Sequence, residues 1–137
     1  MSATMNIKLL SPAKPLAECE AVSVLIPGTM GYMEVLASHA PMVAEIDVGK
    51  LLIKKEGGDE LSFFVSGGYV DVGPKSVTVL VDVAEAGGDI DRSRAESALK
   101  RANDRLIDIH QMDIDMARAR YAQKRASARL DISSGQP

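Results

Sequence analysis

At Asp89 the hydrophobic period of this chain changes from two residues to about 3.6, and from there one segment is written twice. Asp89–Leu106 and Asp113–Leu130 agree at eleven of eighteen positions. Both copies lack Gly and Pro and are rich in Ala, Arg, Leu and Lys, which predicts helix in each. In the first copy Ala95, Ala98, Leu99, Ala102, Leu106 and Ile109 form an apolar stripe at helical spacing. Ala119, Ala122, Ala126 and Leu130 repeat it in the second. Beside each runs an arginine stripe, Arg94-Arg101-Arg105 and Arg118-Arg125-Arg129, at the same steps of seven and four. The connection 107–112 is short, so the helices should lie antiparallel as a hairpin. Each helix spans ~27 Å at ~1.5 Å per residue. An alanine seam buries little area, so this hairpin needs a further surface to pack against.

Upstream, the alternation is that of short strands. Met5–Leu10, Cys19–Ile26, Tyr32–Leu36, Met42–Val48, Leu51–Lys55, Leu61–Val65, Tyr69–Val72 and Val77–Val83 read as strands. Glu56–Glu60 and Gly73–Ser76 read as hairpin turns, and Ser66-Gly67-Gly68 as a bend. No helical crossover separates the strands, which predicts antiparallel pairing. The expected architecture is α+β: an N-terminal antiparallel β-sandwich at residues 1–87, followed by an antiparallel two-helix hairpin at residues 88–137. Asp89 or Asp91 can cap the first helix, and Asp113 or Asp115 the second. The tail Asp131–Pro137 should be frayed.

Charge divides at the same place. Residues 1–88 hold eleven acids and six lysines (−5), and residues 89–137 hold eight acids and ten bases (+2), giving the net −3. All eight arginines lie between Arg92 and Arg129, which points to an anionic partner for the hairpin. The plainer explanation is a solvated face with internal ion pairs. The lone Cys19 excludes an internal disulfide and fits a reducing compartment. No signal-peptide pattern or membrane-length apolar run is present, so any membrane association should pass through a partner.

Little supports an active site. His39 and His110 have no Cys or His neighbour at ligand spacing, so no metal site is expected. His39 before Ala40-Pro41 reads as a turn residue, and His110 as a cation closing the first helix. Ser66-Gly67-Gly68 lacks the glycine of a nucleophile elbow, and no Gly-Lys-Ser/Thr follows Gly28-Thr29-Met30-Gly31. The arginine stripes are the one functional signal, because Arg recognises phosphate and carboxylate bidentately. They suit an acidic protein partner, a nucleotide or, as the competing reading, a nucleic acid bound by the hairpin. The last predicts a steep salt dependence, which the chain's overall acidity opposes.

Three stretches together resemble the epsilon subunit of the bacterial F-type ATP synthase. They are Gly28-x-x-Gly31 through His39-Ala40-Pro41, Val65–Val72 with Val77–Leu80, and Ile90-Asp91-Arg92-Ser93-Arg94-Ala95, which resembles the family's I/L-D-x-x-R-A nucleotide motif. The resemblance spans nearly the whole chain. It implies a non-catalytic central-stalk subunit without a resident cofactor, coupling rotation of a proton-carrying c-ring to the catalytic head. The implied partners are the gamma subunit and the c-ring, and the alpha and beta subunits when the hairpin extends and inhibits ATP hydrolysis. Nucleic acid and direct membrane insertion are not implied. The implied location is peripheral, on the cytoplasmic face of the bacterial plasma membrane. The resemblance also implies that ATP can hold the hairpin down through Glu85, Ile90, Asp91, Arg94, Ala95, Arg101, Arg118, Arg125 and Arg129. The c-ring-facing loop would hold Gly31, Tyr32, Glu34 and His39. Tyr32 stands where the family usually has an acid, and Glu34 is the nearby substitute.

Overall fold

The computed structural model describes residues 3–107 and 113–134. Eight strands form one continuous sheet: β1 (Met5–Leu10), β2 (Pro15–Ala21), β3 (Ser23–Gly28), β4 (Gly31–Leu36), β5 (Met42–Ile46), β6 (Gly49–Lys54), β7 (Glu60–Val72) and β8 (Ser76–Ala86). The strand order is β2-β1-β8-β7-β5-β3-β4, with β6 bridging β7 and β3. The two longest strands let this sheet fold over itself. Residues 60–65 of β7 pair with β6, residues 68–72 pair with β5, and β8 follows β7 through both halves. The result is the expected sandwich, with a 3-10 turn at Gly87–Asp89 leading to α1 (Arg92–Ile107) and α2 (Asp113–Ser134).

The core is aliphatic, as the scarcity of aromatics requires. Ile7, Leu9, Val24, Ile26, Leu51 and Ile53 are among its fully buried residues, and no described helix residue enters it. Burial of each such side chain is worth about 1.5–3 kcal/mol.

Ser66-Gly67-Gly68 does not divide two strands. It is an inflection inside β7. The positions that enter the sandwich core are Phe63 and Val65 before it and Val70 and Val72 after it, so the inward parity switches from odd to even. β8 switches with it, from Val77, Val79 and Val81 to the partly buried Ala84 and Ala86, while the pairing register is unbroken. Gly67 and Gly68 sit at φ +70° and +138°. A Cβ on Gly68 would collide with the Leu80 carbonyl oxygen, so only glycine fits. The reversal turns Phe64 and Glu85, partners in the ladder, to the outer face.

Three further differences from the sequence expectation have local causes. The strand expected at Cys19–Ile26 is two: Val22 leaves the ladder at a corner, its N–H donating to the Lys54 carbonyl at 2.8 Å. Core positions pass from Cys19 and Ala21 before it to Val24 and Ile26 after it, a change of parity that the many apolar residues of this stretch conceal. β1 and β8 pair in parallel, because most of the domain lies between them and serves as the crossover. The residues expected to fray are helical as far as Ser134, and Ile132 is 0% exposed. Tertiary burial overrides the weak helix propensity of that tail.

Ala95, Ala102, Ala119 and Ala126 are the buried alanines of the hairpin, and Gln123 Nε2 donates to Asn103 Oδ1 across it at 2.6 Å. Ile109, His110 and the connection 108–112 lie outside the described residues, as do the side chains of Asp113 and Asp115.

Candidate functional site

The hairpin meets the sandwich through α2. Ile132 packs with Val48 and Phe64 in a small cluster, flanked by Ile90 and Ala128. This cluster is separate from the sandwich core. It exists because the inflection in β7 points Phe64 outward, where α2 covers it. Two ion pairs flank it. Arg129 donates through Nε and Nη2 to both oxygens of Glu85, at 3.2 and 2.9 Å, and its guanidinium lies 4.1 Å from the centre of the Phe64 ring. Lys124 Nζ reaches Asp47 Oδ2 at 2.5 Å. The Lys124 ammonium beside Asp47 holds that carboxyl below its ordinary 3.8; partial burial opposes this, and the Val48 N–H assists it. The lysine side chain is 51% exposed, so this pair contributes at most about 1 kcal/mol.

A second feature forms where β8 runs into α1. Of the two candidate caps, Asp91 is the one used: its Oδ1 accepts from the Arg94 N–H at 3.0 Å, and its carbonyl accepts from the Ala95 N–H at 3.0 Å. Arg94, Ala98 and Arg101 follow at steps of four and three, on one face. Opposite stand Glu85 and Arg129. Between them is a cleft of about 340 Å³, walled by Glu85, Asp89, Asp91, Arg94, Arg101 and Arg129 over a floor of Ala95 and Ala98. Three cations face three carboxylates. Arg129 is committed to Glu85, whereas Arg94 and Arg101 make no ion pair among the described residues. This arrangement offers guanidinium donors to an anion and carboxylate acceptors to amino or hydroxyl groups.

Six of the nine expected nucleotide-site residues thus come together: Glu85, Asp91, Arg94, Ala95, Arg101 and Arg129. Ile90 instead packs beside the Ile132 cluster. Arg125 lies 4.9 Å from the centre of the Tyr121 ring, and Arg118 is exposed; neither lines the cleft. Asp89, read from the sequence only as a helix cap, and Ala98, read only as a member of the apolar stripe, also line it. The latch residues Phe64 and Ile132 were missed as well. The adjacent Phe63-Phe64 pair was their available signal, since two large apolar neighbours in a strand require cover on both faces.

Gly31, Tyr32, Glu34 and His39 do not form one loop. Gly31, Tyr32 and Glu34 are on β4, and His39 follows that strand, whose six residues span about 20 Å. The Lys50 N–H donates to Tyr32 Oη at 3.0 Å, tying β4 to β6. Met30, at the tip of the β3–β4 turn, is 99% exposed. His39 Nδ1 lies 2.7 Å from its neighbour's carbonyl at Ala40, consistent with a turn residue. Among the described residues, no group of His, Cys, Asp and Glu could hold a metal ion.

Comparison with known proteins agrees with this architecture. The model of the ATP synthase delta/epsilon chain β-sandwich domain matches residues 4–87, and that of the same chain's long α-helix domain matches residues 88–134. The ATP synthase epsilon chain of Moorella thermoacetica is 37% identical over 104 residues, covering 76% of this chain and 78% of that one. Among solved structures, a chain of the Euglena gracilis mitochondrial ATP synthase superposes with a TM-score of 0.83 at 22% identity, covering 93% of this chain and 80% of that chain. A chain of the Tetrahymena thermophila ATP synthase central stalk and c-ring gives 0.61 at 15%, covering 96% and 98%. At those identities the structures speak for the fold alone. The family models and the Moorella relative carry the assignment: this chain belongs to the epsilon-subunit family of the F-type ATP synthase.

Proposed function

We propose that the chain is a non-catalytic rotor subunit of a proton-translocating ATP synthase, whose sandwich binds the gamma subunit and the c-ring and whose hairpin inhibits ATP hydrolysis. The observation that carries the reading is the manner of docking. Among the described residues, the buried Ile132 with the flanking Ala128 and two partly exposed ion pairs join α2 to the sandwich, and no described helix residue belongs to the sandwich core. A contact of that size can be released at a cost of a few kcal/mol, which a switch requires. Once released, the arginine stripes can face acidic surfaces on the alpha and beta subunits. The c-ring contact is assigned to Met30 with Gly31, Tyr32, Glu34 and His39. The location proposed with this role is peripheral, at the cytoplasmic face of the bacterial plasma membrane, and no described helix is long and apolar enough to cross a membrane. Truncation after Gly88 should raise ATP hydrolysis by the assembled enzyme. Unchanged hydrolysis contradicts an inhibitory hairpin.

The cleft is the proposed regulatory ATP site. Arg94 and Arg101 supply donors to the phosphates, and Arg129 keeps its Nη1 available while Nε and Nη2 hold Glu85. Asp89 and Asp91 accept from ribose or adenine. A ligand bridging α1, α2 and the segment after β8 favours the docked hairpin by mass action. Titration calorimetry with ATP should show Arg94→Ala losing the heat of binding and Arg125→Ala, stacked on Tyr121, retaining it. No heat at millimolar ATP with the unmodified chain refutes the site.

A further inference from the structure

Among the described residues, Arg129 is the one group of α2 that lines the cleft, and two residues of the sheet aim it there. Phe64 and Glu85 are partners across the β7–β8 ladder. Side chains of such partners stand side by side, with Cβ atoms about 5 Å apart. The Glu85 carboxylate takes one edge of the Arg129 guanidinium, accepting from Nε at 3.2 Å and from Nη2 at 2.9 Å. The Phe64 ring takes one face, 4.1 Å from the guanidinium carbon. An edge contact alone lets the plane swing about the carboxylate. A face contact alone lets it spin over the ring. The two together fix both the plane of the fork and its direction.

The same helix holds a comparison. Arg125, one turn earlier on the same stripe, also lies against an aromatic ring, but that ring is Tyr121 of its own helix. Arg125 does not line the cleft. Two arginines of equal chemistry thus differ in where their aromatic partner stands. Phe64 itself is fully buried, packs with Ile132 and is absent from the cleft wall. Its route to a ligand therefore runs through Arg129. The Arg129 side chain is only 26% exposed, and attraction to a ring quadrupole grows as water is excluded.

We infer that Phe64 is a positioning residue of the nucleotide cleft: its π face, with the Glu85 carboxylate, presents the Arg129 fork to the phosphates. This rests on the proposed ATP site and adds to it a residue outside the wall and the property of that residue that matters. A ring of the same shape but poorer in electrons should serve less well, although it packs against Ile132 equally.

Titration calorimetry of the full-length chain with ATP tests this, with Phe64 replaced by phenylalanines carrying one or three ring fluorines. Fluorine drains the π face with little change of size. Affinity should fall about twofold with one fluorine and about tenfold with three, and Phe64→Leu should lose at least as much as the trifluoro ring. Arg129→Ala should also lose at least as much. Lys124→Ala loosens α2 at the other ion pair, away from the cleft, and should stay within about twofold of the unmodified chain. Unaltered affinity across the fluorine series overturns the positioning role and leaves the cleft standing, even if Phe64→Leu binds weakly, because the ring then acts by packing alone. A loss in Lys124→Ala equal to that of the trifluoro ring overturns it too, since docking alone would then explain both. Full affinity in Arg129→Ala removes the arginine through which Phe64 is held to act. No heat from the unmodified chain at millimolar ATP overturns the site and the positioning role with it.

Discussion

Replacing Ile132 by alanine should uncouple the hairpin from the sandwich without unfolding the sandwich. Ile132 is 0% exposed and packs on Val48 and Phe64, in a cluster that shares no residue with the sandwich core. The substitution removes three carbon groups at about 0.8 kcal/mol each, plus the cost of the void left against Phe64. The sum is about 2–4 kcal/mol. It falls on the docking equilibrium, which should shift roughly 30- to 800-fold toward the open state. Native-state hydrogen exchange reads this directly. Amides of α2 should lose protection by that factor, while those of β7 and β8 around Val70 and Val79 should keep theirs. Equal loss in helix and strands would show that the two fold as one cooperative unit, and unchanged α2 protection would show that Ile132 is not the latch. Either result refutes the reasoning.

Gly68→Ala should destabilise the sandwich itself by about 3 kcal/mol or more, measured by urea unfolding, because the added carbon meets the Leu80 carbonyl at φ +138°. Arg129→Ala should weaken docking by about 1–2 kcal/mol through loss of the bidentate Glu85 pair and of the stack on Phe64, visible as faster exchange in α2 alone. Docking should also weaken in acid. The Asp47 carboxyl is lowered by Lys124, so its contribution is present above the ordinary carboxylate value of 3.8 and is lost as pH falls through the lowered one. Asp47→Asn should remove that pH dependence of α2 exchange; persistence of the full effect contradicts the assignment.

The strands and helices were legible because their periods are local. Alternation located β1, β4 and most of β5–β8, and the repeat located both helices. Relations between elements were harder to read. The parity switch in β7 depends on two glycines at positive φ, and their pair reads equally well as a bend between strands. Val22 turns a corner inside a stretch that reads as one continuous strand. The Ile132 contact joins residues far apart in the chain, across a helix whose alanine seam conceals its second face. Of the arginine stripes, Arg94 and Arg101 line the cleft. Register alone could not separate Arg129, which turns to Glu85 and Phe64, from Arg125, which folds onto Tyr121 one turn away.

In the proposed mechanism the docked hairpin is the permissive state and the released one inhibits. ATP hydrolysis by the reconstituted synthase tests it, with the unmodified chain, Ile132→Asp, and the chain truncated after Gly88 compared in parallel. Opposite signs are expected: Ile132→Asp frees an intact hairpin and lowers hydrolysis, whereas truncation removes the hairpin and raises it. Hydrolysis unchanged in both, or raised by Ile132→Asp as it is by truncation, would contradict it.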